Sequence, residues 1–263
     1  MIVDSHCHTS PYWYEPVESL LYQMDHNGVE KAVLIQLGGQ FDNTYQSECV
    51  RGYPDRLTSV VIVDSSRTDA CELLEREAEL GAVGIRLGPD VRSPDEDPLV
   101  LWKKVDSLGL SVSCAGRKES FASSDFADLV EQFPTLQIVI EHLGNVNQPE
   151  GGTPQEQILE QVFGLARFPN VSIKIHGLGE FAAKDPTAAY GFPFENPLPA
   201  LLPAAYDAFG AERMMWGSDY PPVSGREGYS NALRWTKDQL ADLSIAESQQ
   251  IFGGVAERIF GNG

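Results

Sequence analysis

Two histidines set two apart near the start of the chain are its clearest candidates for chemistry. Asp4-Ser5-His6-Cys7-His8-Thr9 closes a short apolar run, and in extended backbone residues i and i+2 project to the same side. His6 and His8 can therefore offer both imidazoles to one cation. Taken alone, the pair is equally consistent with two solvated loop histidines. Two further groups change the reading. His142 follows the apolar run 137–141, and Asp219 follows 214–216 within Gly217-Ser218-Asp219-Tyr220-Pro221-Pro222. Singly, His142 reads as a hydrogen-bonded structural histidine and Asp219 as a turn cap. Gathered at one point, three imidazoles and one carboxylate form a nitrogen/oxygen set suited to one divalent metal ion, zinc above all.

Residues so far apart in sequence converge only if the fold collects the ends of many elements. Apolar runs recur at 2–4, 32–36, 58–63, 83–87, 111–114, 137–141, 171–175 and 214–216. These are eight strands. They are rich in β-branched residues and do not alternate strictly, as expected of parallel strands covered by helices. Amphipathic helices fall between them. Val17, Leu20, Leu21 and Met24 share a face that Gly28 ends, and Phe126, Leu129, Val130 and Phe133 do the same before Pro134. Leu159, Val162, Phe163 and Ala166 follow a start in which Thr153 caps, Pro154 stands at N1 and Glu156 at N3; Ser244 and Glu247 have capping-box spacing. No glycine-rich dinucleotide fingerprint follows the first strand, so an α/β fold of the single (β/α)8 TIM-barrel type is expected over a doubly wound sheet. No linker divides residues 1–263, which read as one domain. Such barrels do their chemistry at the C-terminal ends of the strands, where His6, His8, His142 and Asp219 fall.

Other side chains at strand ends extend the site. Arg86 suits a bidentate clamp on a substrate carboxylate, or a salt bridge to a loop acid. Lys174 and His176 alternate with Ile173 and Ile175, so both should face the barrel interior. A buried lysine needs a partner, either Asp4 or the substrate. His176 reads as catalytic, and Lys174 as substrate-binding or structural. Trp13, within Tyr12-Trp13-Tyr14, could wall the pocket or pack in a lid. His26 belongs to the end of a helix, away from any strand end.

Several of these pieces coincide with a known pattern. Asp4-x-His6-x-His8, Gly84-Ile85-Arg86, Glu141-His142-Leu143-Gly144, Lys174-x-His176-Gly177, Gly217-Ser218-Asp219-Tyr220-Pro221 and the closing segment 251–260 resemble the amidohydrolase-related (amidohydrolase 2) family. That family includes sugar lactonases, pyrone-dicarboxylate lactonase and aminocarboxymuconate-semialdehyde-type decarboxylases. The resemblance implies that His6, His8, His142 and Asp219 bind metal or act in catalysis, with Asp219 accepting a proton from the attacking water. The sequence departs from the pattern in two places. His176 stands where the lactonase branch often has serine, and Cys114-Ala115-Gly116 offers no bridging lysine or glutamate after the fifth strand, which argues for one metal rather than two.

Composition bounds the rest. A formal charge of −19 disfavours nucleic acid and anionic membranes and says little about a small substrate. Cys7, Cys49, Cys71 and Cys114 lack paired spacing and read as reduced thiols of a cytoplasmic protein. The chain starts in a strand without signal-peptide character, and no segment is long enough to span a bilayer. The expected partner is a small-molecule substrate, with a homo-oligomer left open. The reading is a hydrolase of a lactone, ester or amide bond. Its rivals are a decarboxylase, in which His176 would protonate carbon, and a barrel that binds without chemistry.

Overall fold

The computed structural model describes residues 1–146, 155–188 and 191–261. Eight parallel strands form one sheet in sequence order: β1 Val3–Cys7, β2 Lys31–Ile35, β3 Leu57–Val61, β4 Gly84–Leu87, β5 Ser111–Cys114, β6 Ile138–Ile140, β7 Val171–Ile175 and β8 Met214–Trp216. Asp219 N–H donates to the His6 carbonyl at 2.8 Å and His8 N–H to the Tyr220 carbonyl at 2.7 Å, which joins β8 to β1 at the C-terminal rim. The result is the (β/α)8 TIM barrel expected from the strand pattern. One boundary moves: β1 runs on to Cys7, so His6 lies inside the strand.

The helices are α1 Val17–Asn27, α2 Thr44–Gly52, α3 Ala70–Glu79, α4 Val100–Ser107, α5 Lys118–Phe121, α6 Ser124–Gln132, α7 Gln155–Phe163, α8 Leu201–Phe209, α9 Tyr229–Gln239, α10 Ile245–Gln249 and α11 Val255–Phe260. The apolar stripe of α1 buries Val17, Leu20 and Met24, and Gly28 ends it in the left-handed conformation that residues with a Cβ rarely adopt. α7 buries Ile158 and Val162, leaves Leu159 half-buried, and ends before Ala166, which lies in a short 3-10 turn; Thr153 and Pro154 lie outside the described residues. Ser244 and Glu247 form the expected capping box at α10.

Two layers of core follow from strand alternation. Side chains on the outer face pack under the helices. The barrel's interior is split along its axis. At one end Val3, Val33, Val60, Val139 and Met215 pack on Val255, Ile259 and Phe260 of α11, which closes that mouth with apolar surface. Towards the other end the inward positions turn polar: His6, Ser113 and Lys174 are all fully buried. Buried polar groups of this kind need hydrogen-bond partners. The four cysteines are free thiols, and three of them are buried. Among the described residues no helix is long and apolar enough to cross a membrane.

Candidate active site

Backbone geometry at two strand ends decides where the site's side chains point. After β6, His142, Leu143, Gly144 and Asn145 all have positive φ, between 51° and 66°. Three of these carry a Cβ and sit in a region that costs roughly 1–3 kcal/mol each. The turn is held from several sides: Asn145 Nδ2 donates to the Gly116 carbonyl at 2.7 Å, and His142 N–H donates to His176 Nε2 at 3.3 Å. Asp219, at the end of β8, has φ 55° and is fixed by its N–H bond to His6. Both turns aim side chains over the barrel mouth.

There the four histidines predicted to matter come together. The His6 ring centroid lies 4.9 Å from that of His8, 4.8 Å from His142 and 4.9 Å from His176, and His142 stacks on His176 at 4.2 Å. Asp219 Oδ1 is 3.9 Å from His6 Nε2 and 3.6 Å from His8 Nε2. His8 Nδ1 lies 2.7 Å from the Ile35 carbonyl. A carbonyl only accepts, so Nδ1 carries a proton, and Nε2 is the nitrogen turned toward Asp219. His6 Nε2 is buried without a hydrogen-bond partner among the described residues.

Charged neighbours set the ionisation. Burial first, then the Lys174 and His142 charges, hold the His6 imidazole well below its ordinary value. It is neutral, the form a metal requires. Burial works against an ionised Asp219, yet the proximity of His8, His142 and His176 keeps its carboxyl well below the usual range. Its Oδ2 also accepts from Arg226 Nη2 at 2.9 Å. His142 Nδ1 meets Glu180 Oε1 at 2.7 Å; burial would lower this imidazole, and the Glu180 carboxylate outweighs it and raises it. Burial and then the His142 charge lower His176 to about 4.

Below this cluster runs a buried polar relay that holds Arg86 and Lys174. Arg86 does not stand free to clamp a substrate. Its Nε and Nη2 donate to Glu141 at 2.7–3.1 Å and its Nη1 to the Gln36 carbonyl at 3.0 Å. The guanidinium is spent on a strand-end carboxylate that is 1 % exposed. Ser113 donates to Glu141 Oε1 at 2.7 Å, Lys174 Nζ donates to Ser113 Oγ at 2.8 Å, and Lys174 lies 3.3 Å from His6 Nδ1. Asp4, one of the two partners expected for Lys174 beside the substrate, accepts from His6 N, Ser218 N and Tyr229 Oη. Burial foremost lowers Lys174 to about 8.

Trp13 lies apart from the histidines. It is 76 % exposed and lines a surface pocket of about 280 Å3 with Thr9, Gln36 and Tyr45, while Tyr14 is the aromatic beside His8, at 5.8 Å. A second pocket of about 150 Å3 opens on His142, Glu180 and Arg226. His26 stacks on Tyr22 at the end of α1, away from the site. Sequence reasoning missed Glu180, Arg226 and Ser113. The only signals were the position of Glu180 four residues after His176 and that of Ser113 one residue before the end of a strand.

Can these residues hold a divalent ion? His6, His8 and Asp219 each offer a ligand atom, all within 4.8 Å of one another, and so do His6, His142 and His176. A neutral, buried imidazole with an orphaned nitrogen facing a carboxylate, with the Nε2 of a second imidazole beside the same oxygen, is an arrangement that a cation satisfies. The donor set fits zinc.

A barrel whose strand ends converge imidazoles and carboxylates in this way defines a class of enzyme, not merely a fold. The chain belongs to the amidohydrolase family, whose profile matches residues 3–261. Over 130 residues it is 31 % identical to L-fucono-1,5-lactonase of Burkholderia ambifaria, an alignment covering 48 % of this chain and 41 % of that protein. The chain thus matches less than half the length of this curated relative. An amidohydrolase from Burkholderia multivorans solved with bound zinc superposes with a TM-score of 0.79 at 20 % identity, covering 100 % of each chain. A probable 2-pyrone-4,6-dicarboxylic acid hydrolase from Acinetobacter baumannii, solved with citric acid, gives 0.74 at 20 % identity, covering 99 % of each. Two aromatic-acid decarboxylases share the fold at 0.64 and 0.65. At such identities these likenesses concern the fold alone.

Proposed function

We propose that this amidohydrolase-family enzyme is a lactonase-like hydrolase that cleaves a lactone, ester or amide bond of a small carboxylated or sugar-derived metabolite, with one zinc ion held by His6, His8, His142 and Asp219. The observation that carries the reading is the buried, unpartnered His6 Nε2 beside Asp219 Oδ1, with His8 Nε2 close to the same oxygen. When bound, the ion supplies Lewis acidity, making water nucleophilic near neutral pH and polarising the scissile carbonyl.

The chain's own residues do the rest. Asp219 Oδ1 takes the proton of the attacking water while Arg226 holds Oδ2 and the ionised form. Glu180 fixes the His142 ring through Nδ1, and the Ile35 carbonyl fixes His8 in the same manner, so neither imidazole turns during reaction. The neutral His176 offers a hydrogen-bond donor to developing negative charge. Lys174 positions His6 from below. Substrate enters between the pocket at Arg226 and the aromatic loop that carries Trp13.

His176 also bears on the choice of reaction. A decarboxylase must deliver a proton to carbon, and an imidazole lowered to about 4 is neutral under ordinary conditions and carries no readily given proton. This supports hydrolysis. The test is a panel of lactones and unsaturated carboxylic acids, read by ring opening and by carbon dioxide release. Ring opening that Asp219→Asn abolishes is expected. Carbon dioxide release, or full activity in Asp219→Asn, would overturn the proposal.

A further inference from the structure

Beside the histidine cluster lies a buried carboxylate to which the hydrolysis proposed above gives no part. The side chain of Glu227 is 0 % exposed, and Arg226 Nε stands 3.9 Å from its Oε2. Its Oε1 accepts from the Gly179 N–H at 3.0 Å, while Oε2 has no hydrogen-bond partner among the described residues. A carboxylate placed so costs free energy. Two glycines cut its niche: a Cβ on Gly177 would lie 2.0 Å from Glu227 Oε1, and one on Gly179 2.1 Å from Oε2. Neither has the positive φ that would by itself call for glycine. The carboxylate takes the room their side chains would fill. Its backbone is held as well, because the Glu227 carbonyl accepts from Asn231 Nδ2 of α9 at 2.9 Å.

We propose that Glu227 is a positioning residue: it pins the turn that carries Glu180 to the segment that carries Arg226, and so fixes how His142 and Asp219 face each other. The inference rests on the metal-dependent reading above, which makes those two residues ligands. Gly179 precedes Glu180, whose Oε1 is 2.7 Å from His142 Nδ1. Glu227 follows Arg226, whose Nη2 is 2.9 Å from Asp219 Oδ2. One hydrogen bond, between residues 48 apart in sequence, therefore joins the neighbours of both orienting groups. Without it the 3-10 turn Leu178–Glu180 keeps its internal bonds and the buried Leu178. A glycine on either side of Leu178 then leaves that backbone free to shift, and Glu180 shifts the His142 ring with it. The role calls for an acceptor oxygen, not for a charge. Burial foremost raises the Glu227 carboxyl above its ordinary value, so a neutral amide of the same shape can stand in.

The experiment measures the zinc affinity of the full chain by competition with a chelating indicator. It compares the natural protein with Glu227→Gln, Glu227→Ala, Glu180→Ala and Glu227→Ala/Glu180→Ala. Glu227→Ala is expected to bind zinc about tenfold more weakly or worse, the usual cost of losing a group that orients a metal ligand. Glu227→Gln keeps the acceptor for Gly179 and is expected to bind as the natural protein does. In the Glu180→Ala background the loss of Glu227 is expected to cost little more, because the orientation it serves is already gone. Should Glu227→Ala fail to fold, as a thermal melt reports, the shorter Glu227→Asp takes its place with the same expected loss. Unchanged affinity in Glu227→Ala, an equal loss in Glu227→Gln, or losses that add in the double variant would each overturn the inference. A natural protein that binds no zinc would sink the metal-dependent function alone. Glu227 is then judged on the metal-free chain by the His142 Nδ1–H resonance in protein with isotope-labelled histidine. That resonance is expected to persist in Glu227→Gln and to shift or vanish in Glu227→Ala; an unchanged resonance in Glu227→Ala would overturn the inference there too.

Discussion

Arg86→Met separates the two roles that an arginine at this strand end can play. Three donor contacts to Glu141 and one to the Gln36 carbonyl tie Arg86 across β2, β4 and the end of β6. Methionine keeps the stem and deletes the charge, leaving Glu141 ionised at 1 % exposure. Breaking one partner of a buried pair costs about 3–5 kcal/mol, because the remaining charge is stranded. Ser113 still donates to Glu141, and Lys174 still contributes to holding its carboxyl well below the usual range, which places the expectation at the lower end, about 3 kcal/mol. For a chain of this size each kcal/mol shifts Tm by about 2–4 °C, so Arg86→Met should melt roughly 6–12 °C lower. The double variant Arg86→Met/Glu141→Leu removes both charges and should recover much of that loss. Thermal denaturation followed by circular dichroism measures both without knowledge of the substrate. A substrate clamp predicts the reverse: a Tm within about 2 °C of the natural protein, together with a raised KM. That result would refute the ion-pair assignment.

Two further outcomes test the frame around the site. A Cβ on Gly217 would lie 2.6 Å from His6 Cβ and 2.8 Å from His6 N, so Gly217→Ala should push β8 from β1, cost about 1–3 kcal/mol by overpacking and weaken the zinc binding proposed above about tenfold; an unchanged affinity would show that the close approach of the strands does not set the site. At the other end of the barrel, hydrogen bonds from Ser244 and Tyr206 lower Glu247 from 4.5 to about 2. A depressed folded-state value stabilises above the unfolded pKa and is lost as pH falls through the folded one. Glu247→Gln should therefore lower Tm above pH 4.5, with the difference shrinking as pH falls from 4.5 toward 2; a difference that does not change with pH would remove the carboxylate from the account.

Much of this protein is written locally. The β-branched runs, the amphipathic faces of α1 and α6, Gly28 at a helix end and the Ser244–Glu247 capping box each depend on neighbours a few residues away, and each appears where its pattern predicts. Eight such units leave few topologies, and the spacing of His6 and His8 fixes a shared face because the strand period is two. Position at the strand ends of a barrel singles out His142 and Asp219 as candidates from the sequence alone.

What the sequence did not contain is who pairs with whom. Arg86 reads equally as a substrate clamp or a salt-bridge partner, and only the fold sets Glu141, 55 residues away, against it; Lys174, for which Asp4 or the substrate is the expected partner, meets Ser113 and His6. Glu180 ends a three-residue 3-10 turn and Arg226 follows another short one, so no period is long enough to mark them. Their partners are chosen by a left-handed turn at residues 142–145 and by the closure of β8 on β1. Hydrogen bonds and ion pairs act through space at about 3 Å, blind to separation along the chain. Local propensity builds the elements, and only their packing decides which charges meet.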